Sequence, residues 1–150
     1  MSSIQLSAST PAVPRRGEAA FVAALLAAAG VIHLAAAPEH TAEYVLFGVA
    51  FYVMAAMQLA AAGAFAIGPG SDRLRTATIT MNVAIALLWA TTRLVGLPVG
   101  PEHWQPETVG VLDGACTLLE LLTVGVILGA TLRRRLPVAR NYVRDERCSS

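Results

Sequence analysis

Four long apolar blocks, each ended by a proline, a glycine cluster or an arginine run, govern what this 150-residue chain can become. Residues 19–37 contain one ionisable group, His33, and stop at Pro38. Residues 44–67 carry only Gln58 as a strong polar group and stop at Gly68-Pro69-Gly70. Residues 77–97 carry Asn82 and Arg93 and stop at Pro98, and residues 110–132 carry Asp113 and Glu120 and stop at Arg133-Arg134-Arg135. A helix rises about 1.5 Å per residue, so a block of roughly 20 residues crosses the ~30 Å of a bilayer's hydrocarbon. Backbone in lipid must satisfy its own hydrogen bonds, which makes helix the expected state of each block. The sequence therefore predicts an all-α, polytopic membrane protein, a four-helix transmembrane bundle. Residues 1–16 form an expected disordered leader, residues 17–135 the membrane domain, and residues 136–150 a polar tail.

Composition agrees: 55% of residues are hydrophobic and 14% charged, against about 25% charged in soluble domains. A net charge of +1 offers no electrostatic footing for a nucleic-acid partner. The expected partners are the lipid bilayer and either a second copy of the chain or a membrane complex, since the Ala- and Gly-rich faces of helices 1 and 2 permit close packing. Arginines precede helix 1, lie between helices 2 and 3 and follow helix 4, while residues 38–43 and 98–109 hold no basic residue. By the positive-inside rule, the protein is expected in the cell membrane with both termini cytoplasmic. Arg15-Arg16 before an apolar run ending Ala35-Ala36-Ala37 also matches a cleaved secretory signal, but the run exceeds the usual ~7–15-residue core of one. Tyr44 and Trp104 sit where interfacial anchors belong.

Two loops echo one another: Pro38-Glu39-His40 with Glu43, and Pro101-Glu102-His103 with Glu107. Imidazole with carboxylate suits zinc, copper or iron, so His40, His103, Glu43 and Glu107 are candidate metal ligands on the outer face. Helix punctuation accounts for the same residues, because proline ends helices and a glutamate favours the next N-terminus. The two cysteines, Cys116 and Cys148, lie too far apart for a CxxC pair or a two-thiolate zinc site, and Cys116 reads as a small apolar residue. His33 alone is embedded, so haem ligation by two histidines would need a partner's imidazole.

The intramembrane polar residues form a second candidate set: His33, Arg93, Asp113, Glu120, Gln58 and Asn82. Counted from the block ends, His33, Arg93 and Asp113 share a depth of roughly 6–8 Å, which predicts an Arg93–Asp113 ion pair joined by His33. Glu120 lies seven residues beyond Asp113 on the same face, near the midplane, and Gln58 and Asn82 fall below it. Asn82, Trp89 and Arg93 share one stripe of helix 3. The set fits either a cavity open to the outside with Glu120 as a proton or cation relay, or interhelical hydrogen bonding that fixes helix order. No nucleophile elbow, phosphate loop or Ser-His-Asp spacing is present, which leans away from an enzyme.

The order His33, Pro38-Glu39-His40 with Glu43, Gln58, Arg93-Leu94-Val95-Gly96-Leu97-Pro98 and Glu120 resembles small four-helix membrane proteins of actinobacteria. It is loosely similar to the DoxX-like group over most of the chain. That resemblance implies a four-helix membrane component of an oxidoreductase or stress-response system, and carries over no catalytic residue. The expected function is a cation-handling membrane protein that binds a transition metal or moves cations or protons. The alternative is a non-catalytic subunit that scaffolds a redox or transport complex.

Overall fold

A computed structural model describes residues 16–68 and 70–148, with side chains through Arg133, and the secondary structure among the described residues is all helical. Four helices follow in order: α1 (Arg16–Glu43), α2 (Val45–Ile67), α3 (Asp72–Leu94) and α4 (Val111–Cys148). Each contains a stretch long and apolar enough to cross a membrane, in α4 the segment Val111–Arg133. They run up and down in a ring: α1 packs on α2 and α4, α4 on α3, and α2 and α3 touch least. One end of the bundle, the loop end, carries the α1–α2 and α3–α4 connections. The other carries the α2–α3 connection and the start of α1 at Arg16.

Polar side chains of the helices are drawn into the interior, while many large aliphatic ones face outward. Gln58, Asn82, Glu120, Thr78 and Thr123 are among the most deeply buried side chains, while Leu87, Leu118, Leu121 and many other large aliphatics face outward. Water selects the reverse distribution, whereas lipid favours apolar side chains outside and polar ones turned to their neighbours. The arrangement is consistent with a multi-pass membrane protein. Near the end opposite the loop end an apolar cluster forms, with Val22 and Leu26 of α1, Ala62 and Phe65 of α2 and Ile127 of α4, and the buried Arg75 of α3 is paired there with Glu18 of α1 at 3.0 Å.

Several helix ends depart from the apolar blocks. α1 continues through Pro38 to Glu43, so Pro38-Glu39-His40 is helical and does not form the expected loop. Proline forfeits one backbone hydrogen bond, a loss that a packed membrane helix tolerates. The Pro101-Glu102-His103 triplet lies in non-helical chain, so the sequence echo has no structural counterpart. α3 begins at Asp72, five residues before its apolar block, because Ser71 Oγ accepts the Leu74 N–H at 3.2 Å and caps the helix. It ends at Leu94 and not Leu97: the amides of Val95 and Gly96 both return to the Thr91 carbonyl, and Gly96 adopts φ +80°. A Cβ at Gly96 would also fall 2.5 Å from the Gln105 backbone. α4 keeps its helical backbone beyond Leu132 to Cys148, through most of the expected tail. The leader lies outside the described residues, apart from Arg16 at the start of α1.

One extended residue, Tyr44, reverses the chain between α1 and α2. Such a short turn forces close approach, and Gly48 permits it: a Cβ there would come within 2.7 Å of the Thr41 Cα. Gly48→Ala should therefore destabilise the bundle by about 1–3 kcal/mol, the usual cost of overpacking, read as a lowered unfolding midpoint in detergent. An unchanged midpoint would mean that the hairpin opens freely.

Candidate metal centre

The extension of α1 changes the depth of His33. With Glu43 as the last helical residue, His33 lies ten residues from the helix end, roughly 15 Å down at 1.5 Å per residue. Glu120 lies nine residues into α4, at nearly the same depth. His33 therefore meets Glu120 and not the Arg93–Asp113 pair: its Nε2 is 3.9 Å from Glu120 Oε1. Gln58 belongs to the same level and not the one below, because its amide spans the two. Gln58 Oε1 is 2.9 Å from His33 Nδ1, and Gln58 Nε2 donates to Glu120 Oε1 at 3.0 Å and to Asn82 Oδ1 at 3.5 Å. Asn82 in turn donates to the Thr78 carbonyl at 2.8 Å. All four helices meet in this knot.

The hydrogen bond to Gln58 fixes the tautomer of His33. A side-chain carbonyl oxygen only accepts, so Nδ1 carries the proton and the lone pair stays on Nε2. Cys116 completes the group. Its Sγ lies 3.9 Å from His33 Nε2 and 4.0 Å from Glu120 Oε1, with 3.5 Å to Nδ1. Among the described residues His33, Cys116 and Glu120 are the one set of three His, Cys, Asp or Glu whose donor atoms gather within 4.8 Å of one another, and all three are buried. The triangle of Nε2, Sγ and Oε1 has edges of 3.9, 3.9 and 4.0 Å. The equidistant point in its plane lies roughly 2.3 Å from each corner, so a tetrahedral zinc, with bonds of about 2.3 Å to thiolate and 2.0–2.2 Å to nitrogen or oxygen, would draw the three donors inward by a few tenths of an ångström.

Above the triangle, toward the loop end, lies a cavity of about 140 Å³. His33, Cys116 and Glu120 form part of its wall, with Phe51, Met54, Ile85, Leu88 and Trp89 among the apolar side chains around them. Arg93 and Asp113 stand at its rim. Arg93 Nη2 donates to Asp113 Oδ2 at 2.8 Å, the pair expected from sequence. Arg93 Nη1 reaches Glu107 Oε2 and the Thr108 carbonyl, each at 2.7 Å. The amide of Glu107 donates to the Thr92 carbonyl, so the α3–α4 connection is tied to the end of α3 through that residue twice.

These contacts already engage most of the outer ligand set expected from the loop echo. Glu107 is taken by Arg93, and His103 is exposed on the connection. His40 turns onto Phe51, with ring centroids 3.9 Å apart, and its Nδ1 lies 3.5 Å from Glu43 on the same helix. Among the described residues His40, His103, Glu43 and Glu107 do not gather within ligand distance of one another, although His40 pairs with Glu43, and Glu43 and Glu107 line one small pocket at the loop end. Sequence reasoning missed Cys116, having looked for a cysteine pair. The available signal was the Cys116–Glu120 spacing of four, which puts both on one face of α4. Comparison with family models, curated proteins and solved structures finds no match to this chain.

Proposed function

We propose that this protein is a cell-membrane metal-binding protein, with both termini cytoplasmic, that holds a divalent transition ion on His33 Nε2, Cys116 Sγ and Glu120 Oε1. The near-equilateral donor triangle carries the reading. Zinc suits it best: nitrogen, sulfur and oxygen donors are its usual protein ligands, and three of them leave a fourth position for a small molecule on the cavity side. Copper and iron fit the same donors less selectively. A thiolate and a carboxylate together supply two negative charges, so a bound M²⁺ leaves the site neutral. That matters in hydrocarbon, where an uncompensated charge costs a few kcal/mol or more. Binding exchanges one ion for the Sγ and Oε protons, which leave toward the cavity. Gln58 serves the ligands from behind, holding the His33 ring by Nδ1 and the Glu120 carboxylate by Oε1, the arrangement that orients ligands in metal sites generally.

The test is metal content by mass spectrometry on untagged protein purified in detergent and loaded with zinc. We expect about one equivalent per chain, retained by His40→Ala/His103→Ala and lost by Cys116→Ser or Glu120→Gln. In cobalt-loaded protein a thiolate-to-metal charge-transfer band should appear and vanish in Cys116→Ser. Metal that survives Cys116→Ser but leaves with the outer histidines would move the site to the loops. No metal after loading with zinc, copper or iron would remove it altogether.

A further inference from the structure

Two buried donors in the cavity wall have no acceptor. Trp89 Nε1 and Arg93 Nε are shielded from solvent and make no hydrogen bond among the described residues. Both side chains line the cavity, and they stand four residues apart on α3, one above the other. An unsatisfied N–H in apolar surroundings costs several kcal/mol, so the pair calls for an oxygen acceptor supplied from elsewhere.

The charge already at the rim selects the kind of oxygen. Arg93 faces two carboxylates, Asp113 at 2.8 Å and Glu107 at 2.7 Å, which leaves the cluster with a net negative charge. A further anion would be repelled, whereas a neutral carbonyl would accept both N–H groups without that penalty. The walls select the rest of the molecule. The lining between the polar groups is aliphatic and aromatic, and the volume of about 140 Å³ is close to the ~150 Å³ of an engineered apolar cavity that admits benzene. The route in is lateral. α2 and α3 are the least packed neighbours, and Leu88 lines the cavity while remaining 42% exposed on the outer face of the bundle. Met54 of α2 and Ile85 of α3 flank the same seam.

We infer that the cavity binds a neutral, carbonyl-headed amphiphile that enters from the bilayer between α2 and α3, its oxygen accepting from Trp89 Nε1–H and Arg93 Nε–H. This does not depend on the metal, and the test uses chelator-treated protein in lipid nanodiscs. With Trp104→Phe in place, Trp89 is the one remaining tryptophan, and its emission is followed while 2-undecanone, undecane or undecanoate is added. The ketone should give a saturable change and bind about tenfold more tightly than the alkane, the value of two modest hydrogen bonds. In infrared spectra of the unsubstituted protein, the carbonyl stretch of isotopically labelled ketone should fall on binding, and recover part of that fall in Trp89→Phe. Equal responses to ketone and alkane would overturn the recognition of a carbonyl. Tighter binding of undecanoate would overturn the charge argument. A ketone that produces no saturable change would mean that water alone serves the two donors, and the proposal would fall.

Discussion

Arg93→Met should cost about 2 kcal/mol of bundle stability, roughly a thirtyfold loss in the folding constant. Removing the partner of a buried ion pair typically costs ~3–5 kcal/mol, because the remaining charge is stranded. Here two carboxylates would be stranded, but Glu107 is 37% and Asp113 28% exposed, so solvent takes up part of the loss. The substitution also frees the Thr108 carbonyl from the arginine, leaving the α3–α4 connection attached to α3 through the backbone of Glu107. Arg93→Lys should recover less than half, since one ammonium cannot reproduce the guanidinium fork between two carboxylates. Arg93→Met/Asp113→Asn should be more stable than Arg93→Met alone. Reversible unfolding in mixed micelles measures all three. If Arg93→Met unfolds at the wild-type midpoint, the rim is effectively in water and the ion pairs contribute nothing.

Gln58→Leu should weaken zinc binding by about 10- to 100-fold, the range found when a residue that orients metal ligands is removed. Its effect on folding should be smaller. The lost hydrogen bonds average about 0.6 kcal/mol each in membrane proteins, and leucine fills most of the vacated volume. The two readouts separate its roles. A fall in affinity with the fold nearly intact makes Gln58 a positioning residue for His33 and Glu120. Unchanged affinity with a lowered unfolding midpoint would make it only a tie between helices.

The four helices were readable from composition in blocks, since each block is long and apolar enough to cross a bilayer and such a block is expected to be helical. Their ends were not. Pro38 reads as a stop in any local grammar, yet α1 passes it, and those six further residues lower His33 from the rim to the level of Glu120. The Arg93–Asp113 pair was legible because each sits near a helix end, where counting errors are small. The His33–Gln58–Glu120 knot was only half legible. The residue types were singled out, but which of them touch depends on the rotation of four helices about their axes. Cys116 carries no periodicity of its own, and only its spacing from Glu120 sets it apart from the apolar residues around it.

The closure of the ring through α1 and α4 has a consequence for biosynthesis. Translation delivers α1 and α2 first, and they are joined by the single residue Tyr44 and share the most extensive packing among the described helices. Two of the three proposed metal donors, Cys116 and Glu120, arrive only with α4, the last of the four helices to leave the ribosome. Until then His33 has Gln58 for company but no thiol or carboxylate opposite it, and the cavity lacks one wall. On the proposed site, a nascent chain halted after α3 should therefore retain no zinc, so that zinc retention would report the arrival of α4.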